Sequence, residues 1–454
     1  MTISRAQQEN LHRNVLRILE EIGACIENAT LLDALAAIGG VVQTSDNRVR
    51  FPASMVESFL HSVPKIDWST RQPNLMVRAS FYAGQYLNAR TGALEPLTEE
   101  LVREYLTLAR ALPNVNATFL TGCPWHGCAE DEPLYERLYA WKFGADHSGI
   151  LYPTESREKL LALYEAYAHI RRRSPRDLFH GSVFMMSPLR LSAEEAAQFL
   201  WWQSRGFPVE LSHMTTAGLT APVTTAGVVA MNVAEEIALA LLHKACYGES
   251  RLHFCTMISS VDMRTMIRPY GCPELTAANR VMADMARFYG VTCLGHSGVT
   301  DAKRPGCEAG AQKTMSALGT LLAGADAMVD AGLLSSDEIY SPIQMILDNE
   351  LAGALNHCVK PVACDDDAIG LDAIREAGPG GLFTGLPHTI EHYRDELWQP
   401  KVWTRLLRDA WQTAGSNQDT DLARSLFETI MAHPPSIDQL TPDEEIILRN
   451  VIAK

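Results

Sequence analysis

The spacing of apolar positions changes near residue 110. Before that point they recur at helical intervals, with Leu11, Val15, Ile18, Leu19 and Ile22 on one face of a 3.6-residue period. Residues 41–51 alternate as a hairpin strand does, and Phe51-Pro52 leads into a helix over "SMVESFLHSV". Thr98, followed by two glutamates, is placed to cap a further helix in "LTEELVREYLTLARAL". Residues 1–112 thus read as a mostly helical region with one hairpin, packed on the remainder of the chain.

Beyond residue 112 the pattern becomes β-α repeats. Short apolar runs fall at 117–122, 148–154, 178–186, 207–214, 251–258, 291–296 and 326–332, and helical patterns fall at 156–172, 192–204, 226–247, 272–289 and 306–323. Such alternation forces parallel strands joined by right-handed crossovers. An eighth strand is expected at "YLNARTG" or "GLFTGLP". Seven or eight units over roughly 270 residues predict an α/β fold, a TIM (β/α)8 barrel at 113–385. A helical C-terminal extension fills 386–454, with Trp398, Trp403 and Trp411 as expected packing anchors. No GxGxxG or P-loop pattern follows a strand, which argues against a dinucleotide-binding sheet.

Composition narrows the function. The 454 residues are 47% hydrophobic and 20% charged, as in a soluble globular protein. A formal charge of −15 repels a phosphate backbone, so no nucleic-acid partner is expected. Met214 to Ala234 is 21 uncharged residues, but its five threonines, two glycines and Pro222 predict a buried strand, a turn and a helix start, not a membrane span. The first residues show no apolar signal-peptide core. The ten cysteines form no CxxC pair, the pattern of reduced thiols in the cytoplasm.

In such a barrel the chemistry collects at the C-terminal ends of the strands. Trp125 and His126 follow the first run, Tyr152 ends the second, Phe184 lies in the third, and His213, Thr215 and Thr216 end the fourth. Ser259, Ser260 and Asp262 follow the fifth. "GHSGVTDAK", with Gly295, His296, Gly298, Asp301 and Lys303, closes the sixth, and Asp330 the seventh. The histidines could touch substrate or be satisfied structural groups, and Asp301 with Lys303 could be a mere loop ion pair. "HTIEH" sets His388 and His392 on one helical face without the glutamate of an HExxH site, so structural hydrogen bonding is expected and no metal.

Three blocks, in order, resemble one family: "TTAGLTAPVTTAGVVAMNVAEEIALA", "GHSGVTDAKRPGCEAGAQKTMSALGTLLAGADAMVDAGLLSSDEIYSPIQMILDNEL" and "GPGGLFTGLPHTIEHYRDELWQPKVW". The chain resembles the trimethylamine methyltransferase superfamily, the corrinoid-dependent methylamine and quaternary-amine methyltransferases, over roughly residues 5 to 450. The resemblance implies a TIM barrel that passes a methyl group from an amine to cob(I)alamin on a separate corrinoid protein. One branch of the superfamily carries pyrrolysine in or near the segment matching Leu294–Thr300. Only standard residues stand there, so the chain looks like the non-pyrrolysine branch, which acts on quaternary amines such as glycine betaine. It departs from the family pattern at Gly306, Glu308 and Ala311, where Asp, Gln and an aromatic are usual.

A quaternary ammonium leaves as a neutral amine in SN2 displacement, so positioning and electrostatics suffice. Trp125, Tyr152 and Phe184 are candidate cage walls. His213 and Lys303 are candidate donors to a substrate carboxylate, and Asp301 and His296 are candidate catalytic groups. Gly295, Gly298, Thr215 and Thr216 are small enough for close approach of the corrinoid ring. A homo-oligomer is expected. Two other readings stay open: a non-catalytic quaternary-amine binding or regulatory barrel, and a lyase or hydrolase using His213 or His296 as base.

Overall fold

The computed structural model describes residues 1–454 apart from 82–83, 121, 123, 125–126, 129, 146, 150, 152–155 and 438. Eight parallel strands organise it: β1 (Leu75–Phe81), β2 (Ala117–Leu120), β3 (His147–Ser148), β4 (Gly181–Met185), β5 (Val209–His213), β6 (Phe254–Thr256), β7 (Cys293–Ser297) and β8 (Asp326–Asp330). Their ladders form a six-stranded parallel sheet in the order β6-β7-β8-β1-β2-β3 and a separate parallel pair, β4-β5.

The described residues carry no continuous closed ladder, but both seams are bridged. At one, Leu151 N–H donates to Ser182 O at 2.9 Å. At the other, Thr216–Ala217 pairs in parallel with Ser259–Ser260 just beyond the ends of β5 and β6. Between β5 and β6 themselves, the carboxylate of Glu236 accepts the backbone N–H of Cys255 at 2.9 Å. A buried backbone donor needs a partner, and here a helix side chain supplies it.

The strand that completes the eight is neither of the two expected segments. It is "LMVRASF" at 75–81, between β8 and β2, so the sheet begins inside the stretch read as a helical N-terminal region. "YLNARTG" instead contributes to a small sheet, where Gln85–Leu87 pairs antiparallel with Leu94–Pro96. "GLFTGLP" lies outside the sheets, in exposed chain before helix Pro387–Glu396.

The expected helices are present at Arg157–Arg171, Ala193–Gln203, Thr225–Tyr247, Pro273–Tyr289 and Cys307–Leu322. Thr98 caps Glu99–Ala111, its side chain accepting Leu101 N–H at 3.3 Å. Gly248, at φ +79°, ends Thr225–Tyr247 in the left-handed conformation that glycine tolerates best. This helix is long and apolar enough to cross a membrane by length and composition, and 78% of its most apolar window is buried inside the chain. The N-terminal helices Arg5–Arg17 and Ala29–Ala37 pack against it. The hairpin Val41–Gln43 with Arg48–Arg50 joins Ala24–Ile26, which pairs in parallel with Arg190–Leu191 after β4.

At the C-terminal end, helix Asp419–Ala432 packs on Pro342–Cys358 and on Glu99–Ala111, and Pro442–Ile452 packs on Arg157–Arg171. Of the three tryptophans, Trp398 does anchor the intervening segment, its indole packed against Gly353 of helix Pro342–Cys358 and edge-on to Trp403, whereas Trp411 is only half-buried and Trp403 is exposed. A second anchor is Glu350, whose Oε1 accepts the backbone N–H groups of Lys401, Val402 and Trp403 at 2.6, 3.0 and 3.2 Å.

Candidate active site

Successive residues of a strand point to opposite faces. Here alternate residues face one cavity of ≈ 630 Å³: Met76 and Arg78 of β1, Ser182 and Phe184 of β4, Glu210 and Ser212 of β5, Leu294 and His296 of β7, and Met328 and Asp330 of β8. Phe119 of β2 and Cys255 of β6 add to the lining. Met214, Met257, Tyr270, Leu333 and Asp337 stand beyond the strand ends, at the mouth. At the opposite end Glu210, paired with Arg251 at 3.1 Å, and His253 are exposed.

Asp330 is the electrostatic centre. Its Oδ1 accepts from Arg78 Nε at 2.5 Å and from Ser80 Oγ at 3.0 Å, and its Oδ2 lies 3.0 Å from His296 Nε2. Burial alone would push the carboxyl up, but the Arg78 charge and the His296 contact outweigh it and hold Asp330 well below the usual carboxylate range. Behind it Lys313, fully buried, donates to Asp330 O at 2.9 Å and to Asp348 Oδ2 at 2.7 Å. Asp348 also accepts Gly332 N–H and the Gln344 amide, both at 2.8 Å. Burial raises the Asp348 carboxyl, opposed by Lys313.

Tyr270 stands edge-on to His296, ring centroids 5.7 Å apart, and Arg268 lies 5.2 Å over the Tyr270 ring. Asp337, on the same rim, is raised by burial against the opposing charge of Arg268.

Of the residues expected from sequence, His296 and Phe184 line the cavity. Trp125 and Tyr152, like His126, lie outside the described residues. Asp301 is absent from the lining: its carboxylate accepts Tyr270 N–H at 2.7 Å, Gly271 N–H at 2.8 Å and Ser336 Oγ at 3.2 Å. It thereby positions the loop that carries Tyr270. Lys303 is exposed, and its Nζ caps Asp301 O at 2.6 Å, a backbone contact and not an ion pair.

His213 faces away from the cavity, towards helix Thr225–Tyr247. Its Nδ1 lies 2.9 Å from Glu235 Oε2 and its Nε2 3.4 Å from Glu236 Oε1. Burial disfavours the imidazolium, but the two glutamates prevail and raise His213 to about 10. Such a group is a charged strut, not a base poised near neutrality.

The four positions expected to admit the corrinoid are closed by protein. A Cβ on Gly295 would sit 2.6 Å from Thr320 Cγ2, and one on Gly298 2.5 Å from Val329 Cγ2, so both glycines serve internal packing. Thr215, fully buried, donates to Glu235 at 2.9 Å and accepts from Asn232 at 3.1 Å. Thr216 Oγ1 lies 3.3 Å from Ser259 Oγ.

Among the described residues no group of three or more His, Cys, Asp or Glu could hold a metal. His388 and His392 are away from the cavity, both turned to Asp367, at 3.0 Å from its backbone oxygen and 3.5 Å from its carboxylate.

Sequence reasoning missed Arg78, Glu210, Glu236, Tyr270 and Asp337. Two of them left a signal: Arg78, a lone arginine inside the apolar run "LMVRASF", and Glu236, one of two adjacent glutamates inside an otherwise apolar helix, "VVAMNVAEEIALALL"; Glu210, Tyr270 and Asp337 left none. Buried charges need a partner or a purpose.

Residues 160–454, well over half of the chain, match the family described as trimethylamine methyltransferase (MTTB), and the chain belongs to that family. Among curated proteins it is 25% identical to trimethylamine methyltransferase MttB of Desulfitobacterium hafniense, over 97% of this chain and 94% of that protein. It is 24% identical to glycine betaine methyltransferase of the same species, over 100% and 96%. MttB of Methanosarcina barkeri is 26% identical over 65% of this chain and 59% of its own length. The crystal structure of the Methanosarcina barkeri monomethylamine methyltransferase MtmB superposes with a TM-score of 0.46 at 12% identity, covering 95% of this chain and 93% of that one.

Proposed function

We propose that the chain moves a methyl group from a quaternary amine of the glycine betaine type to the cob(I)alamin of a separate corrinoid protein, by SN2 displacement. It does so without pyrrolysine, in the cytoplasm, as a homo-oligomer. On this reading the eight strands close as a (β/α)8 barrel, since they follow one another in sequence order and β8 returns to β1. The core at 113–385 borrows β1 from the N-terminal region 1–112, and 386–454 is a C-terminal extension.

The observation that carries the reading is the cavity's chemistry. Phe119, Phe184, Tyr270 and methionine thioethers offer π and sulfur surface to a methylated cation, and Glu236, Asp330 and Asp337 offer negative charge. A quaternary ammonium has no N–H to donate, so faces and charge must hold it. In the displacement the C–N bond breaks with its electron pair passing to nitrogen, and no proton moves. The chain's work is to orient the methyl group towards the mouth and exclude water.

The rim fits a large flat acceptor. Leu219, Val223, Met263, Met266 and Ile267 are exposed on the loops after β5 and β6, and Gly218 packs beneath Val223, Val261 and Met263. Cob(I)alamin brought there by its carrier would supply the nucleophile. Gly306, Glu308 and Ala311, the positions that depart from the family pattern, are exposed at the start of helix Cys307–Leu322 and line none of the cavity. That placement favours an active enzyme over a binding barrel.

The test is a panel of betaines, carnitine and choline incubated with the chain and free or protein-bound cob(I)alamin. Consumption of cob(I)alamin absorbance that depends on the chain and on one of these amines is expected. No consumption with any of them overturns the proposal.

A further inference from the structure

The cavity of the candidate active site runs the length of the strands. Along β5 its lining reaches from Glu210 to Met214, and along β6 from His253 to Met257. Four residues at about 3.3 Å each make roughly 13 Å. In a packed parallel barrel the inward side chains of the lowest layer fill the axis and keep solvent out. Two inward side chains of that layer are open to solvent instead. Glu210 points inward by the same alternation that aims Ser212, yet its side chain is 51% exposed, and His253 is exposed as well. Beside them lies a second cavity of ≈ 410 Å³, lined by Asp177 and Pro208 before β4 and β5 and by Gly181 at the start of β4. Phe119, Ser182 and Glu210 line both cavities, so the two meet among β2, β4 and β5.

We propose that this rear cavity is the passage by which the amine enters and leaves while the corrinoid carrier covers the mouth. The proposal rests on the methyl-transfer reading above. In-line displacement fixes the direction of departure. The nucleophile attacks the methyl carbon on one side, and the C–N bond breaks on the other with its electron pair on nitrogen. With the acceptor at the mouth, nitrogen and its remaining substituents point away from it, towards Ser182 and Glu210. The departing amine then has the rear cavity ahead of it and the acceptor behind it. A site with a single door must shed its carrier before each exchange of amine, which adds a slow step to every turnover. The rear also suits an incoming cation. Glu210 offers negative charge at the opening, and Glu236 lines the cavity further in. Arg251, 3.1 Å from Glu210, holds that carboxylate at the β5–β6 side, and an ion pair this exposed breaks readily. Arg176, in the rear wall, is turned to Arg205 O at 3.1 Å.

Exchange of tetramethylammonium with the full chain, followed by proton NMR line shape, tests the two doors without a carrier. Met214→Trp/Met257→Trp narrows the mouth, and Asp177→Trp/Pro208→Trp narrows the rear at exposed positions. With the mouth pair alone, exchange is expected to stay within about 3-fold of the unaltered rate. Adding the rear pair is expected to slow it by about 10-fold or more, with unchanged circular dichroism. A second probe needs no substitution: a trimethylammonium bearing a bromophenyl group on a six-carbon tail, soaked into crystals of the chain. Anomalous scattering is expected to place the bromine beside Gly181 and Pro208, with the methyl groups towards the mouth. Exchange stopped by the mouth pair alone, exchange indifferent to the rear pair in that background, or bromine at the rim beside Met263 would each overturn the proposal and leave the quaternary-amine reading standing. Failure of both cations to bind would overturn the two together.

Discussion

Glu236 accepts the backbone N–H of Cys255 at 2.9 Å, so a helix side chain occupies the seam between β5 and β6. The same carboxylate lines the cavity and lies 3.4 Å from His213 Nε2. Replacing it with alanine strands a buried donor and leaves His213 with one counter-charge. We expect Glu236→Ala to cost about 3 kcal/mol in urea unfolding, and Glu236→Gln less, since the amide oxygen still accepts from Cys255.

The His213 strut gives stability a definite pH dependence. Its folded value is raised from 6.5 to about 10, so the folded state binds the proton more tightly than the unfolded chain does. The stabilisation is complete below the unfolded value of about 6.5 and is lost as pH rises towards 10. Glu235 is shifted down and acts in the opposite sense, its share being lost as pH falls through its folded value. Thermal melts across pH 6 to 10 are expected to show a decline that His213→Gln flattens.

Lys313 and Asp348 are both buried, 2.7 Å apart. Lys313→Met leaves an uncompensated carboxylate and is expected to cost about 3–5 kcal/mol. Lys313→Met/Asp348→Leu removes both charges and is expected to recover most of that loss. A double-mutant cycle by chemical denaturation measures the coupling, and a double variant as unstable as the single one would disprove it.

Within the proposed reaction, Phe184→Leu removes a cavity wall while keeping its volume roughly constant. Loss of a π face is worth about 0.5–2 kcal/mol to a bound cation. KM for the amine is expected to rise about 2-fold to 30-fold, with kcat changed less; steady-state kinetics on the active amine separates the two.

Asp330→Asn keeps the shape of the centre but removes the negative charge that faces Arg78 and His296. The cavity then carries one more net positive charge beside a cationic substrate, and kcat/KM is expected to fall by about 10²-fold or more. Asp301→Asn, at a carboxylate that accepts from the Tyr270 loop and Ser336, is expected to raise KM with a smaller change in kcat.

Much of the fold was legible because parallel β-α units announce themselves through apolar runs and amphipathic helices. Helix Thr225–Tyr247 was expected at 226–247, and Pro273–Tyr289 at 272–289. β1 escaped because Arg78 interrupts it, and a charge inside a strand reads as surface until its partner, Asp330, is known to face it 252 residues away. The site was half legible for the same reason. His296 and Phe184 fall on cavity-facing positions, which strand parity predicts. Asp301 and His213 also sit near strand ends, but their side chains turn to backbone amides and to helix carboxylates, a choice made by tertiary neighbours.

The seam at Glu236 carries a consequence for how this chain can evolve. In most parallel α/β folds the wall is backbone and the lining is side chain, so ligand preference can drift while the scaffold stays put. Here one carboxylate is both mortar and lining. A lineage that trades it for a new substrate must first find another way to hold β6 in place, and that ties the history of the pocket to the history of the fold.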